Sequence, residues 1–254
     1  MATSTDEPAI VERDRLLEVL RVGELRLEGR LVEATNATFL GTARLAPTGV
    51  VDAALEVRCI YKPIAGERPL WDFPDGTLAH REVAAFLVSE AAGWAVVPAT
   101  VFRDEGPYGA GMAQEWIAVD EAYDLVAALR KGTPALRRIA LFDVVVNNTD
   151  RKGGHLLATA DGRLLGVDHG VCFSVEPKLR TILWGWRGTR LRAAELATLE
   201  ALRSDLDGTL GVELARHLHD GEIVATRERV AGLLATRRFP QPNPDWPAVP
   251  WPPF

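Results

Sequence analysis

Residues 144–170, with the sequence VVVNNTDRKGGHLLATADGRLLGVDHG, constrain the fold more than any other stretch of this chain. Two acids, Asp150 and Asp168, lie at the ends of two apolar runs, VVV and RLLGV. Asp161-Gly162 between flanking apolar residues is a strong signal for a tight hairpin turn. Because paired strands bring their terminal side chains together, we expect a hairpin that holds both carboxylates in one place, for a metal ion or a proton.

The composition is that of an ordinary globular protein. Its 254 residues are 47% hydrophobic and 25% charged, which is enough for one large domain or two lobes. There is no apolar run of about 18 residues, and the N-terminal sequence MATSTDEPAIVERDR is polar and acidic, so we expect a cytoplasmic protein without an integral membrane segment. The net charge of -6 argues against nucleic acid as a partner. Cys59 and Cys172 lie in apolar runs, which favours packing over a disulfide or a zinc site.

The first half of the chain alternates apolar and polar residues, as strands do. A disordered leader and a short amphipathic helix come first, and we place them at residues 1–9 and 10–22. Three alternating segments with turns at 35–36 and 47–49 predict a three-stranded antiparallel meander. These segments are 25–34, 37–45 and 55–63.

Lys62 leaves the third of these strands on a defined face. It shares the parity of Arg58 and Ile60, and Pro63 follows it and ends the strand. A lone lysine at a strand end is usually a solvated charge, so its importance depends on the acids that follow it along the chain.

A helix is predicted at residues 79–93, where apolar residues recur at spacings of three and four. Glu82 lies in its first turns, and Glu90 is the alternative acid on the same helix. Two more strand-like runs follow at 95–104 and 110–117. The N-terminal half is therefore expected to be a five-stranded sheet with one inserted helix.

The second half is predicted to be mostly helical. Its composition changes at about Ala118, after which apolar residues recur at helical spacing. The predicted helices span 120–129, 134–147, 193–205 and 221–236. The tail at 239–254 has seven prolines in sixteen residues, so we expect an extended strap. This order predicts an α+β protein in which helices enclose the hairpin that bears the acids.

Five features stand in a particular order along the chain: Lys62 on a strand, Glu82 on the next helix, QEWI at a strand-to-helix junction, NNTDRKGGH and VDHG. This set resembles the signature of the protein-kinase-like superfamily, and in particular its phosphatidylinositol 3- and 4-kinase-like branch. It is also similar to actinobacterial phosphatidylinositol-kinase-related proteins and, more distantly, to HipA-like kinases. The resemblance covers roughly residues 25–195.

The resemblance implies a bilobal kinase-like fold in four parts. Residues 1–24 would be a leader and helix, and 25–117 a nucleotide-binding N-lobe with the antiparallel sheet and one helix. Residues 118–238 would be a mostly helical C-lobe with the catalytic hairpin, and 239–254 the Pro- and Trp-rich strap.

The resemblance also implies roles for the charged residues. Lys62 would bind the α- and β-phosphates of ATP and pair with Glu82. Asp168 would hold Mg²⁺, a hard cation that prefers carboxylate oxygens. Asp150 would orient or deprotonate the hydroxyl of the acceptor, and Arg151 beside it would compensate its charge.

Two further groups of residues would contact the nucleotide. Backbone groups of the QEWI segment would meet adenine, with an apolar wall at its end: Gln114, Glu115, Trp116 and Ile117. The first hairpin has no glycine-rich phosphate loop, and its tip instead offers hydroxyl and amide groups. These belong to Thr35, Asn36 and Thr38.

His155 is the main departure from ordinary kinases, which have asparagine five residues after the catalytic acid to bind a second Mg²⁺. Imidazole favours Zn²⁺, Mn²⁺ or Fe²⁺ over Mg²⁺, so the second metal would be absent, different or replaced by the imidazole itself. We therefore assign Asp168 and His155 to the metal site and expect Mg²⁺ or Mn²⁺ as the cofactor with ATP.

Other interpretations of these residues stay open. Asn147, Asn148 and Thr149 would also serve as local turn caps. The segment 171–192 combines five basic residues with two tryptophans, so it would either meet an anionic surface or pack on the helical lobe.

Together these observations favour an ATP-dependent phosphotransferase that moves the γ-phosphate to an unidentified hydroxyl of a protein, lipid or small molecule. One alternative is a nucleotide-binding pseudokinase or adapter, and another is an enzyme that transfers AMP. A third is a metal-dependent phosphohydrolase, whose ligands would be Asp143, Asp150, His155, Asp168 and His169.

Overall fold

The computed structural model describes residues 7–32, 35–47 and 54–254. Its α-helices are α1 (Glu7–Val22), α2 (Leu78–Ala91), α3 (Leu125–Lys131), α4 (Pro134–Val146), α5 (Ala193–Leu206), α6 (Thr209–Leu214) and α7 (Asp220–Thr236). Its strands are β1 (Glu24–Arg30), β2 (Phe39–Leu45), β3 (Leu55–Pro63), β4 (Thr100–Arg103), β5 (Gly111–Glu115), β6 (Leu156–Ala158) and β7 (Leu164–Gly166). Residues 1–6 of the predicted leader and 48–49 of the predicted turn lie outside the described residues, whereas 7–9 belong to α1.

Strands β1 to β5 form one antiparallel sheet in the order β1-β2-β3-β5-β4. Phe39 of β2 pairs with Tyr61 of β3, and Lys62 of β3 pairs with Met112 of β5. Helix α2 is inserted between β3 and β4 in the sequence. The predicted meander and the predicted five-stranded sheet with one inserted helix are therefore confirmed.

Side chains alternate between the two faces of this sheet, as the pleat requires. Cys59 and Tyr61 occupy one parity of β3 and are fully buried, whereas Ile60 and Lys62 occupy the other parity and are half-buried. Helix α1 packs against β2, β3, β4 and β5. Burial raises the pKa of the Cys59 thiol to about 11, so this cysteine is a neutral packing group at physiological pH.

Arg103 at the end of β4 ties α1 to the sheet. A helix leaves its last four carbonyl groups without intrahelical donors. The guanidinium of Arg103 donates to two carbonyl oxygens at this helix end, those of Leu20 at 2.6 Å and Gly23 at 2.8 Å. Because Arg103 is only 6% exposed, water does not readily replace these bonds.

We expect Arg103→Met to destabilise the protein by about 2 to 4 kcal/mol, because it leaves two buried carbonyl groups without a donor. The measurement is urea unfolding followed by circular dichroism. The matched control is Arg21→Met, which changes an exposed arginine in the last turn of α1 and should cost about 0.5 kcal/mol or less. Equal stability of the two variants would show that Arg103 does not hold the helix end.

The chain divides into two compact units, Met1–Ala79 with Ala99–Trp116, and His80–Pro98 with Ile117–Phe254. The second unit contains nearly all of α2 together with α3 to α7. Helices α4 and α5 both pack on α7. These three helices carry large apolar side chains that are almost completely buried, among them Leu136, Ile139, Phe142, Leu199, Leu202, Val230 and Leu233.

The predicted hairpin is present in the second unit, where β6 pairs with β7 and Asp161-Gly162 lies in the turn between them. Gly162 has a φ of 84°, which glycine adopts without strain. The expectation that 144–146 form a strand of this hairpin is wrong, because these valines are the last turn of α4, as the helix predicted at 134–147 required. Helical spacing and the N-cap hydroxyl of Thr133, which accepts from the amide of Leu136 at 3.4 Å, outweigh their β-branched side chains.

The remaining elements differ from the prediction in detail. The helix expected at 120–129 begins later, as α3, after the side chain of Asp124 caps the amide of Ala127. Helix α6 was not predicted. Residues 239–254 contain no helix or strand, as expected of a proline-rich strap.

No helix in the described ranges is long and apolar enough to cross a membrane.

Candidate functional site

Asp150 lies in a loop that begins where α4 ends. Asn147 ends the helix in the left-handed conformation, with a φ of 50°, and its side-chain Nδ2 donates to the carbonyl oxygen of Ser174 at 2.9 Å. The side-chain oxygen of Asn148 accepts from the backbone amide of Asp150 at 2.9 Å, and its Nδ2 donates to Asp143 at 3.0 Å. Asn148 therefore acts as a local cap that fixes the direction of the loop, whereas the side chain of Asn147 joins the helix end to residues 174–178.

Arg151, the next residue of this loop, is fully buried. Its guanidinium donates to both carboxylate oxygens of Asp143, with 2.9 Å between Nη2 and Oδ1, and neither side chain is exposed. Burial opposes the positive charge, but the charge and hydrogen bonds of Asp143, with smaller contributions from other nearby groups such as Asp168, raise the pKa of Arg151 above its ordinary value. Arg151 is therefore a fixed cation inside the second unit.

The same guanidinium joins the two segments that carry the acids. Nη1 of Arg151 donates to the carbonyl oxygens of His155 at 3.3 Å and Val167 at 3.0 Å. His155 follows Asp150 in the first segment, and Val167 directly precedes Asp168 in the second. One buried arginine thus sets the separation of the backbone segments on which Asp150 and Asp168 lie.

Gly166 and His169 both accommodate Arg151. A Cβ at position 166 would lie 2.9 Å from Nη2 of Arg151, so this approach requires glycine. Nε2 of His169 lies 2.7 Å from the same Nη2 and must accept, because arginine only donates. The ring proton is then on Nδ1, on the side of Glu82, whose Oε2 is 3.9 Å away.

Asp150 has two cations beside its carboxylate, Lys152 at 3.0 Å and Arg180 at 3.3 Å. Nε of Arg180 also donates to the carbonyl oxygen of Thr149 at 2.7 Å. We expected Arg151 to compensate the charge of Asp150. In the structure Arg151 instead forms an ion pair with Asp143, and Lys152 and Arg180 pair with Asp150. Lys152 was not among the predicted site residues, although its position two residues after Asp150 was a usable signal.

Asp168 and His155 form the second part of the site. Asp168 has a left-handed backbone, with a φ of 62°, and Nε2 of His155 is 3.5 Å from its Oδ2. Burial lowers the pKa of His155, although the nearby Asp168 opposes the shift. The imidazole is therefore neutral at physiological pH and offers a nitrogen as a metal ligand. Beside it lies the carboxylate of Asp168, whose side chain is 52% exposed. This oxygen and nitrogen pair fits a divalent metal such as Mn²⁺.

Within the described part of the chain, no group of three or more His, Cys, Asp or Glu side chains is arranged to hold a metal ion. The ligand set of the phosphohydrolase alternative included Asp143 and His169, and both side chains bond to Arg151. These hydrogen bonds to Arg151 argue against the phosphohydrolase alternative, because a metal ligand needs a free lone pair directed at the metal.

Helix α2 is fastened to the segment that follows Asp168. Glu82 is 1% exposed, and its Oε2 accepts from the backbone amide of His169 at 2.9 Å. The adjacent Arg81 donates to the carbonyl oxygen of Cys172 at 2.7 Å and forms an ion pair with Glu222 of α7. The two neighbouring charges of α2 thus hold both ends of the segment from His169 to Cys172.

Most of the other predicted residues lie in the first unit. Nε2 of Gln114 donates to Oγ1 of Thr100 at 2.8 Å. The backbone amides of Glu115 and Trp116 donate to carbonyl oxygens of Ala99 and Arg58 within the sheet, at 2.8 and 2.9 Å. Those two amides are therefore already used, and the expected contact with adenine would have to come from other backbone groups of the segment. The apolar residue of the same segment, Ile117, is buried in the second unit.

The tip of the first hairpin also uses its polar groups internally. The hydroxyl of Thr38, a buried residue, donates to the carbonyl oxygen of Asn36 at 3.3 Å, and the side-chain oxygen of Asn36 accepts from the amide of Arg68 at 2.9 Å. Thr35 is exposed. The contact of these groups with phosphate and the pairing of Lys62 with Glu82 stay predictions.

The architecture is that of the protein-kinase-like fold. The chain is similar to the crystal structure of the Golgi casein kinase with Mn/ADP bound, with a TM-score of 0.58 and 17% identity over 95% of this chain and 81% of that one. It is also similar to the structure of hydra Fam20 with sugar, with a TM-score of 0.59 and 13% identity over 93% and 89% of the two chains. The expected kinase-like fold is thereby confirmed, whereas the phosphatidylinositol kinase branch stays a prediction.

The family follows from sequence identity. The chain is 42% identical to Protein Rv2133c of Mycobacterium tuberculosis, over 97% of this chain and 98% of that protein. It therefore belongs to the same family as Protein Rv2133c. No family model matches the sequence.

We expect Asp143→Asn to destabilise the protein by about 3 to 5 kcal/mol, because it leaves the buried charge of Arg151 without its counter-charge. The measurement is urea unfolding at neutral pH. The control is Glu200→Gln, which breaks an exposed ion pair with Arg203 and should cost about 1 kcal/mol or less. A loss at Asp143 no larger than that of the control would show that this pair does not organise the site.

Proposed function

We propose that this protein is an ATP-dependent phosphotransferase that moves the γ-phosphate of a metal-bound ATP to a hydroxyl group. The observation that carries the proposal is the connection through Arg151, which joins the segments bearing Asp150 and Asp168 in a chain of kinase-like fold. Phosphoryl transfer depends on positioning and charge stabilisation more than on covalent chemistry. Two acids at a fixed separation, with cations beside one of them, are suited to that task.

Asp168 and His155 would hold the divalent metal, which when bound neutralises charge on the phosphates. Mn²⁺ is supported by the solved Golgi casein kinase, which has Mn/ADP bound. Asp150 would accept the proton of the acceptor hydroxyl and keep its oxygen aimed. Lys152 and Arg180 lie at its carboxylate and would stabilise the negative charge of the group in transfer.

The nucleotide would be bound by the residues that the resemblance assigns to it. Lys62 would contact the α- and β-phosphates, and Glu82 would orient its ammonium group. The hydrogen bond from the amide of His169 to Glu82 supports this, because it ties that carboxylate to the residue after Asp168. Adenine would lie against the segment from Gln114 to Ile117, and the acceptor would be a hydroxyl of a protein, lipid or small molecule.

The proposal is tested by ATP binding and by the fate of labelled phosphate. Calorimetry with Mn²⁺ or Mg²⁺ should detect ATP binding, and γ-labelled ATP should lose its label to water or to a component of a cell extract. Asp168→Asn should weaken metal-dependent binding, whereas Asp150→Asn should keep ATP binding and lower transfer by about 10²-fold or more. Asp161→Asn, in the hairpin turn, is the control and should match the wild type.

Two outcomes would reject the proposal: no ATP binding with either metal, or full turnover in Asp168→Asn. Transfer of α-label in place of γ-label would mean that AMP is the group moved. Binding of ATP without transfer of either label would support the pseudokinase or adapter alternative.

We expect His155→Asn to change the metal preference. Imidazole nitrogen favours Mn²⁺ over Mg²⁺, whereas the amide oxygen of asparagine is a hard donor suited to Mg²⁺. The ratio of turnover with Mg²⁺ to turnover with Mn²⁺ should therefore rise by about tenfold in the variant. The ratio is measured by phosphate release at saturating metal, and an unchanged ratio would remove His155 from the metal site.

A further inference from the structure

The strap, residues 239–254, runs beside the segment that carries Arg180. Thr181 connects the two, because its backbone amide donates to the carbonyl oxygen of Ala248 at 3.0 Å. Nε1 of Trp184 donates to the same carbonyl oxygen at 2.7 Å. Farther back along the strap, Nδ2 of Asn243 donates to the carbonyl oxygen of Pro177 at 3.0 Å.

On its other side the same segment is bonded to the loop of Asp150. The amide of Arg151 donates to the carbonyl oxygen of Arg180 at 3.0 Å, and the amide of Ile182 donates to the carbonyl oxygen of Arg151 at 3.2 Å. Arg151 and Thr181 form a parallel bridge. The loop, the Arg180 segment and the strap are therefore three adjacent backbone segments in that order.

The strap then reaches the loop of Asp150 directly. The amide of Gly153 donates to the carbonyl oxygen of Pro253 at 2.8 Å. The ring of Phe254 lies against Gly153 so closely that an added Cβ would be 2.1 Å from its Cδ1. Gly153 is buried and does not have a positive φ, so an added side chain here would meet the ring of Phe254, a residue that is 62% exposed, and would not strain the backbone.

We infer that the strap is a positioning element of the phosphotransfer site. It holds the loop of Asp150 at Gly153, between Lys152 and His155, and it holds the Arg180 segment at Thr181. The residues beside these two contacts face the acids: Lys152 and Arg180 lie within ion-pairing distance of Asp150, and His155 lies within that distance of Asp168. This inference rests on the proposed function, because it assigns the strap a role in the same site.

The contact between Phe254 and Gly153 allows a double-mutant cycle. Phe254→Ala removes the ring, and Gly153→Ala introduces a Cβ into the space that the ring occupies. Either change should displace the loop and lower kcat for phosphate release from MnATP, with water as the acceptor, by about tenfold or more. KM for ATP should stay within about twofold, because the residues proposed to bind the nucleotide are unchanged.

The cycle contains its own rescue. In the double variant Gly153→Ala/Phe254→Ala the added methyl group no longer meets the ring, so kcat should be higher than in Gly153→Ala alone. Phe254→Tyr keeps the ring and should retain wild-type kcat. Trp251→Ala is the matched control, because Trp251 belongs to the same strap and is more exposed than Phe254, at 88% against 62%. It should leave kcat unchanged.

Hydrogen exchange of the backbone amides provides a readout that does not require activity. The amides of Gly153 and Thr181 donate to strap carbonyls, so Phe254→Ala should increase exchange at Gly153 by about tenfold while the core of α4 stays protected. Unchanged exchange and unchanged kcat in Phe254→Ala would overturn the inference, as would a higher kcat, which would make the strap an inhibitor. Faster exchange at Gly153 with unchanged kcat would also overturn it, because the contact would then be structural only.

Failure of the proposed function gives a different result. If the wild type releases no phosphate and binds no ATP, the phosphotransferase is rejected, and the role of the strap in that site is rejected with it. Faster exchange at Gly153 in Phe254→Ala would still establish that the strap holds this loop. If the wild type turns over ATP and only the strap variants behave like the control, the function stands and the strap inference alone is wrong.

Discussion

The buried ion pair between Arg151 and Asp143 is the interaction on which the site depends. Two charges without solvent are stable only when they are paired and their remaining hydrogen-bonding groups are satisfied. Arg151 meets that requirement by donating also to carbonyl oxygens of the two acid-bearing segments and to His169. Because the buried guanidinium needs these hydrogen bonds, it fixes the backbone that positions Asp150 and Asp168.

Helix α2 extends this arrangement to the segment after Asp168. Glu82 and Arg81 are adjacent on the helix, and one accepts from the amide of His169 while the other donates to the carbonyl oxygen of Cys172. Because Glu222 of α7 pairs with Arg81, the metal-side segment is linked to the helical core. A site built from loops is thereby held by helices whose apolar faces are buried, which is how scaffolds generally give loops a fixed geometry.

Much of the fold could be predicted because local patterns agree with the tertiary structure. Alternation at 25–63 predicted the meander, Asp161-Gly162 predicted the hairpin turn, and the prolines of 239–254 predicted an extended strap. The strand expected at 144–146 was wrong, although the helix predicted at 134–147 covered the same residues. Valine is favoured in strands, but here it completes a helix that begins with a capped first turn and is buried on most sides.

The types of residue at the site and their order along the chain are properties of the primary structure, and so is the alternation that makes the sheet. Which charges meet depends on the fold: Arg151 is adjacent to Asp150 in sequence but pairs with Asp143, and Asp150 pairs with Lys152 and Arg180. The physical reason is that partner choice for a charge depends on burial and on distances across the fold, and neither is encoded in spacing along the chain.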